Sequence, residues 1–236
     1  MLKGIDISTW QEGLNLSDIK DKIDFIVCKA TEGLAIVDDC CDNFIEQAKA
    51  NNLLWGFYHF ARNNDPVKEA DFFYQNCSNY FTHGIPVLDI ETNTIKDWGK
   101  YATEFTDRIH VLTGVYPIIY TSAAFTTRFN NTMIPNKCGL WVAGYPKKVY
   151  GYEDLFFDYD IAPWQFAAMW QFSSTGRFNK FDGYIDLDYA YMDEEAWMKY
   201  ANPNNVVEGG TAPLPKIDDV HVFEDDEIKV TIILKH

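Results

Sequence analysis

Three short runs of the chain carry acids at the ends of apolar stretches. Asp6 closes Gly4-Ile5-Asp6, Asp89 and Glu91 close Val87-Leu88-Asp89-Ile90-Glu91, and Asp186 and Asp188 lie in Tyr184-Ile185-Asp186-Leu187-Asp188. In extended backbone, residues two apart share a face. Asp89 and Glu91 therefore point one way with Leu88 and Ile90 opposite, and Asp186 and Asp188 oppose Ile185 and Leu187. Acids that converge repel one another when ionised, so at least one should hold its proton near neutral pH, as a general acid must. Such a pair suits glycosidic bond cleavage: one carboxyl protonates the leaving oxygen, and another stabilises positive charge or activates the nucleophile. Any single Asp is more simply a solvated strand end or a helix cap. Five acids on three strands, alternating with apolar residues, favour a site.

Rival chemistries find little support. The histidines (His59, His83, His110, His221, His236) form no H-E-x-x-H pattern and the cysteines no C-x-x-C, so neither a metal nor a cofactor is expected. Cys28 is the one strand-end thiol placed for nucleophilic work, and its alternation groups it with Ile26 and Ala30, away from Lys29. No P-loop occurs, and no G-x-G-x-x-G follows a strand.

The acids need elements to hold them. Strand-like runs occur at 2–8, 24–30, 53–60, 85–91, 116–121, 140–144, 168–173 and 184–188, with helical patterns at 42–51, 66–80, 97–112 and 122–129. Asp65-Pro66 reads as a helix cap followed by proline at the first helical position. Alternating strands and helices predict a parallel sheet, and eight strands predict its closure into a β/α barrel. Few helical patterns follow residue 129, so the barrel should be irregular, with fewer helices than strands. Closure makes the first and last strands neighbours and brings Asp6 close to Asp186. Residues 1–200 form this unit. Residues 201–216 read as a linker rich in Asn, Gly and Pro, and 217–236 as a short β-hairpin tail for oligomerisation or docking, or as part of a longer domain.

Composition narrows the partners. The chain has 236 residues and a formal charge of −15, which argues against binding nucleic acid or anionic membrane. The aromatic share of 16% exceeds what a core needs and suits a cleft in which rings stack on sugars. Five cysteines, an odd number, predict reduced thiols. No apolar run is long enough to span a bilayer and no secretion signal is visible, so a chain made in a reducing compartment is expected.

The runs Gly4-Ile5-Asp6-Ile7-Ser8, Lys29-Ala30-Thr31-Glu32-Gly33, Gly56-Phe57-Tyr58-His59-Phe60, Leu88-Asp89-Ile90-Glu91, Ile119-Tyr120-Thr121, Leu140-Trp141-Val142-Ala143-Gly144-Tyr145, Trp170-Gln171-Phe172-Ser173 and Ile185-Asp186-Leu187-Asp188 resemble, in order over about the first 195 residues, the family 25 glycoside hydrolases, the Chalaropsis-type lysozymes found among bacterial and phage lysins. The resemblance implies an irregular barrel and cleavage of the β-1,4 bond between N-acetylmuramic acid and N-acetylglucosamine. It implies Glu91 as general acid, Asp89 as the group that steadies the substrate's acetamido group or developing charge, and Asp6 and Asp186 at the site floor. The stereochemical course stays open.

Other strand-end residues are expected to line the cleft. Lys29 would point inward and balance the acids, with Glu32 beside it. Tyr58 rather than His59 would face the axis, with His59 held by a backbone bond. Tyr120, Trp141 and Tyr145 would stack on sugars, Gln171 would bond an N-acetyl group, and Asp188 would contribute less than Asp186. The reading is an N-acetylmuramidase acting on peptidoglycan, used as a phage endolysin. The alternative is a barrel that binds wall glycan without cutting it.

Overall fold

The structure, a computed structural model, describes residues 1–203. The predicted hairpin tail and all but the start of the predicted linker lie outside the described residues.

Among the described residues there are nine strands: β1 Leu2–Ile7, β2 Phe25–Glu32, β3 Ile36–Val37, β4 Leu54–Phe60, β5 Ile85–Asp89, β6 Ile118–Ser122, β7 Leu140–Ala143, β8 Met169–Gly176 and β9 Ile185–Ala190. They pair in the order β1-β9-β8-β7-β6-β5-β4-β2-β3, and a β1–β2 pairing closes eight of them into a barrel with β3 outside. Helices α1 Cys41–Ala50, α2 Pro66–Cys77, α3 Trp98–Thr113, α4 Ile134–Lys137 and α5 Glu194–Ala201 accompany them. The Asp65 side chain caps α2 by accepting from the Val67 and Lys68 amides, with Pro66 in the first turn. Here the sequence signal and the structure agree.

The sheet is not wholly parallel. β9 runs antiparallel to both β1 and β8. The loop between β8 and β9 is short and carries no helix, so the chain returns down the barrel instead of crossing over. Asp186 therefore stands near the start of its strand, not at its C-terminal end. Antiparallel register places it directly opposite Asp6, so the predicted proximity holds although the predicted strand direction does not. Two further departures are local. The helical pattern at 122–129 forms a 3-10 helix, Ala123–Phe129, and the short strand β3 hairpins back on β2.

Alternation along the strands sorts side chains into two layers. Outward residues such as Ile26, Cys28, Phe57 and Leu88 join Phe44 and Ile45 of α1, Phe73 of α2 and Phe105 of α3 in one buried cluster. Inward residues Phe25, Val27, Ile85, Val87, Ile118 and Met169 form a second with Trp197 of α5. The Trp197 ring lies 4.7 Å from that of Phe25 and stoppers the barrel from below. Gly4 makes room for this packing, since a Cβ there would come within 2.3 Å of the Phe25 ring. Burying these large rings supplies much of the fold's stability, roughly 1.5–3 kcal/mol per side chain. It also leaves the upper end of the barrel as the one end of the interior lined by charge.

Candidate active site

The strand alternation that buries Val27 and Val87 carries Lys29 and Asp89 to the same inner face two residues higher. A cleft of about 290 Å³ opens there, lined by Asp6, Ser8, Trp10, Lys29, Tyr58, Phe60, Asp89, Glu91, Tyr120, Trp141, Tyr145, Gln171 and Asp186. Asp6 ends β1's inner face, Asp89 ends β5, Glu91 lies two residues past it, and Asp186 begins β9. Another hollow of about 310 Å³ lies between Gly139 and Tyr200. No carboxyl group lines it.

The acids are poorly solvated. Asp6 is 8% and Asp89 7% exposed. Desolvation raises the Asp6 pKa to about 6, against hydrogen bonds from Gln171 and Asp188, with the Glu91 charge adding to the rise. Desolvation, then the Asp6 and Glu91 charges, raise Asp186 to about 8. Asp89 is pushed well up by burial and then by Glu91 and Asp6, while Lys29 opposes the rise. Its Oδ1 is buried without a hydrogen-bond partner. Glu91 opens to solvent at the rim, yet desolvation raises its pKa too. These acids do not all ionise at neutral pH.

A chain of hydrogen bonds fixes Asp6. Tyr120 and Tyr145 donate their hydroxyls to Gln171 Oε1 at 2.9 and 2.6 Å, and Gln171 Nε2 donates to Asp6 Oδ2 at 2.7 Å. Gln171 thus spends its Oε1 and one Nε2 hydrogen inside the protein, while its side chain still lines the cleft. Trp141 donates its Nε1 to Asp188 Oδ1 at 2.8 Å and is 1% exposed. Its ring face is closed to a sugar, so it holds the floor instead of stacking. Asp188, wholly buried and pushed well up in pKa by desolvation and then by Asp6, lies beneath the cleft rather than in it. The downward run of β9 is the reason. Asp188 pairs with Gly4, one layer below the Asp6–Asp186 pair.

Lys29 faces inward as expected. Its amine pairs with Glu32 and lies 5.2 Å from the Phe60 ring. Glu32 also accepts from Arg62, at 2.8 Å from Nε, and so anchors Lys29 beside the cleft. Tyr58 faces the cleft. His59 turns outward, fully buried, but side chains hold it and not the backbone: Thr31 Oγ1 lies 2.8 Å from Nδ1 and Glu69 Oε2 2.8 Å from Nε2.

Trp10, Ser8 and Phe60 complete the cleft and were not anticipated. Trp10 is 85% exposed. It rides on a 3-10 turn, Thr9–Gln11, built as a reciprocal capping box: Ser8 accepts from the Trp10 amide, and the Gln11 side chain accepts from the Ser8 amide. Asp38 also accepts from the Thr9 amide at 2.9 Å. The Ser8-x-x-Gln11 spacing was a readable signal for that turn, and an exposed indole beside four acids offers an apolar face to a sugar.

The five cysteines are free and buried. Cys28 packs 3.7 Å from Cys41, away from the cleft. Among the described residues no group of three His, Cys, Asp or Glu side chains is placed to hold a metal ion, and no helix is long and apolar enough to cross a membrane.

Residues 5–181 match the sequence profile of the glycosyl hydrolases of family 25. The autolytic lysozyme of Clostridium acetobutylicum is 27% identical over 191 residues, which span 79% of this chain but 55% of that protein. The chain therefore covers about half of that relative's length. Among solved structures, the bacterial lysozyme from Streptomyces coelicolor superposes with a TM-score of 0.72 at 26% identity, covering 86% of this chain and 97% of that one. The CTP1L endolysin superposes with a TM-score of 0.68 at 25% identity, covering 86% and 70% respectively.

Proposed function

The chain belongs to the glycosyl hydrolases of family 25, and from that premise we propose that it is an N-acetylmuramidase that cleaves the β-1,4 bond between N-acetylmuramic acid and N-acetylglucosamine in peptidoglycan. The observation that carries the reading is the set of four desolvated carboxyls, Asp6, Asp89, Glu91 and Asp186, around one open cleft. A sugar alkoxide is too poor a leaving group to depart unprotonated, and a cluster of acids that cannot all ionise keeps a proton ready for it.

Roles follow from position. Glu91, the member at the open rim, delivers the proton to the leaving oxygen. Asp89, deeper and with one oxygen free of partners, faces the positive charge that develops at the sugar or its acetamido group. Lys29 favours the ionised form of Asp89 and so helps the pair hold one proton and one charge. Asp6 and Asp186 form the floor, with Asp6 fixed through Gln171 by two tyrosine hydroxyls. Trp10 and the half-exposed Tyr145 give the glycan apolar faces to lie on. The biological role we propose is that of a phage endolysin. The likeness to the CTP1L endolysin supports it, and the autolytic lysozyme of Clostridium acetobutylicum supports the broader use of the site against a bacterial wall.

The test is digestion of purified peptidoglycan, followed by borohydride reduction and mass spectrometry. A muramidase leaves new reducing ends on muramic acid. Reducing ends on glucosamine, new free amino groups, or wall binding without products would each overturn the assignment.

A further inference from the structure

The cleft is acidic at its floor, in a chain whose net charge is −15. At its lip the charge reverses. Tyr184 immediately precedes β9, two residues before Asp186, next to the point where Ile185 pairs with Gly176. The Arg177 guanidinium stacks 4.4 Å from the Tyr184 ring, and Lys148 sits 5.8 Å from that ring and 5.3 Å from the Tyr150 ring. The Arg177 amide donates to the Tyr150 carbonyl at 2.8 Å, which ties the two loops together. The Tyr184 carbonyl accepts from Gln11 Nε2 at 3.2 Å, next to Trp10 in the cleft wall.

Both cations are exposed. Neither has a carboxylate within ion-pairing distance among the described residues, whereas the adjacent Lys147 pairs with Glu153 at 3.1 Å. Asp182 acts on Arg177 only as a more distant charge. A hydrogen bond from Arg177, then the charge of Lys148, lowers the Tyr184 pKa. The site therefore already favours a negative charge. Two cations held in place by ring stacking and left without counter-charges, beside a wall that otherwise repels anions, form a preorganised anion site.

We propose that Lys148 and Arg177, held against Tyr150 and Tyr184 at the lip of the cleft, bind carboxylates carried by the glycan strand. The inference rests on the muramidase reading, because it takes the strand's pendant groups as the anions. A muramyl residue carries a carboxylate either on its lactyl group, when that is free, or on the peptide attached to it. The subsite would seat the strand by its charged pendants while the acids act on the uncharged bond.

The experiment compares the full chain with the Lys148→Gln/Arg177→Gln double variant and with Lys147→Gln, a charge change outside the subsite. Three glycans are used: one stripped of peptide with its lactyl carboxylates free, one bearing peptides, and one whose peptide carboxylates have been amidated. Loss of the two exposed contacts should raise KM about tenfold on a carboxylate-bearing glycan and remove its dependence on salt. The amidated glycan should not respond, and Lys147→Gln should behave as wild type. An effect on the peptide-free glycan alone identifies the lactyl carboxylate, and an effect on the peptide-bearing glycan alone identifies the peptide. Equal change on all three glycans, or no change on any, overturns the proposal. Calorimetric binding of the same glycans keeps the two readings apart. A wild-type protein that binds without cleaving defeats the muramidase reading, and the double variant's affinity still decides the subsite.

Discussion

Two buried carboxyl groups a few residues off the same barrel wall have opposite fates. Glu69, outside the barrel on α2, has no solvent exposure and is saturated with donors: His59 Nε2 at 2.8 Å, the Arg62 amide at 3.0 Å, and the Asn64 amide and Nδ2 at 3.2 and 2.7 Å. Burial alone would raise its pKa, but the His59 bond and the Arg62 amide outweigh that, and the pKa falls. Asp89, inside the barrel on β5, is buried almost as deeply, yet its Oδ1 has no partner and its neighbours are acids. Its pKa rises. A satisfied buried carboxylate fixes structure: Glu69 pins the segment after β4 to α2, close to the Arg62 that holds Glu32. An unsatisfied one stores free energy that a substrate can release.

The contrast can be tested in order of expected effect. Asp89→Asn should cut peptidoglycan cleavage by about 10²–10³-fold, the usual loss on removing one transition-state charge contact, while the melting temperature holds or rises, since an amide removes the burden of a buried charge. A lower melting temperature would mean that Asp89 is structural after all. Glu69→Ala should do the reverse, costing about 3 kcal/mol of stability by stranding His59 and the backbone amides, with the turnover of the remaining folded protein nearly intact. Urea titration with activity normalised to folded protein would show it, and an unchanged midpoint would count against the comparison.

The pH dependence of stability should also divide between the two regions. Asp186 is raised from 3.8 to about 8, so the folded state holds its proton longer than the unfolded chain. Its stabilising contribution is fully present below about pH 4 and is lost as pH rises through about 8. Glu69 is lowered, so its contribution is present above its unfolded pKa and is lost as pH falls through the folded value. Thermal melts between pH 4 and 9 should therefore show Asp186→Asn flattening the wild type's decline between about pH 4 and 8, and identical slopes would contradict this. The smallest effect belongs to Trp10. At 85% exposure it contributes little to the fold, so Trp10→Ala should leave the melt unchanged and raise KM for glycan severalfold, which steady-state kinetics would read.

Much of this was legible in the sequence because alternation is a local signal. It predicted that Asp89 and Glu91 share a face, that Lys29 and Tyr58 turn inward while His59 turns outward, and that the first and last strands meet. It carries no strand direction, so the reversal of β9 was missed, and with it the descent of Asp188 beneath the floor. Partners across the fold were equally invisible. His59 was expected on a backbone carbonyl, but Glu69, ten residues on, reaches it only because α2 folds back over β4. Gln171 and Trp141 have the chemistry of sugar contacts, and only the packing shows that Asp6 and Asp188 already engage them. Trp10 was overlooked for the opposite reason: an aromatic residue beside a strand reads as core until a capped turn is seen to lift it into solvent.

Proton delivery from Glu91 to the leaving oxygen is probed by changing how much the leaving group needs a proton. Glu91→Gln and wild type would be compared on peptidoglycan and on a muramyl glycoside whose leaving group is dinitrophenolate, which departs without protonation. With Glu91 as the proton donor, the variant loses about 10²–10⁴-fold on peptidoglycan and releases the phenolate at close to the wild-type rate. Equal losses on both substrates would contradict it and move Glu91 from proton donor to a role in charge stabilisation or binding.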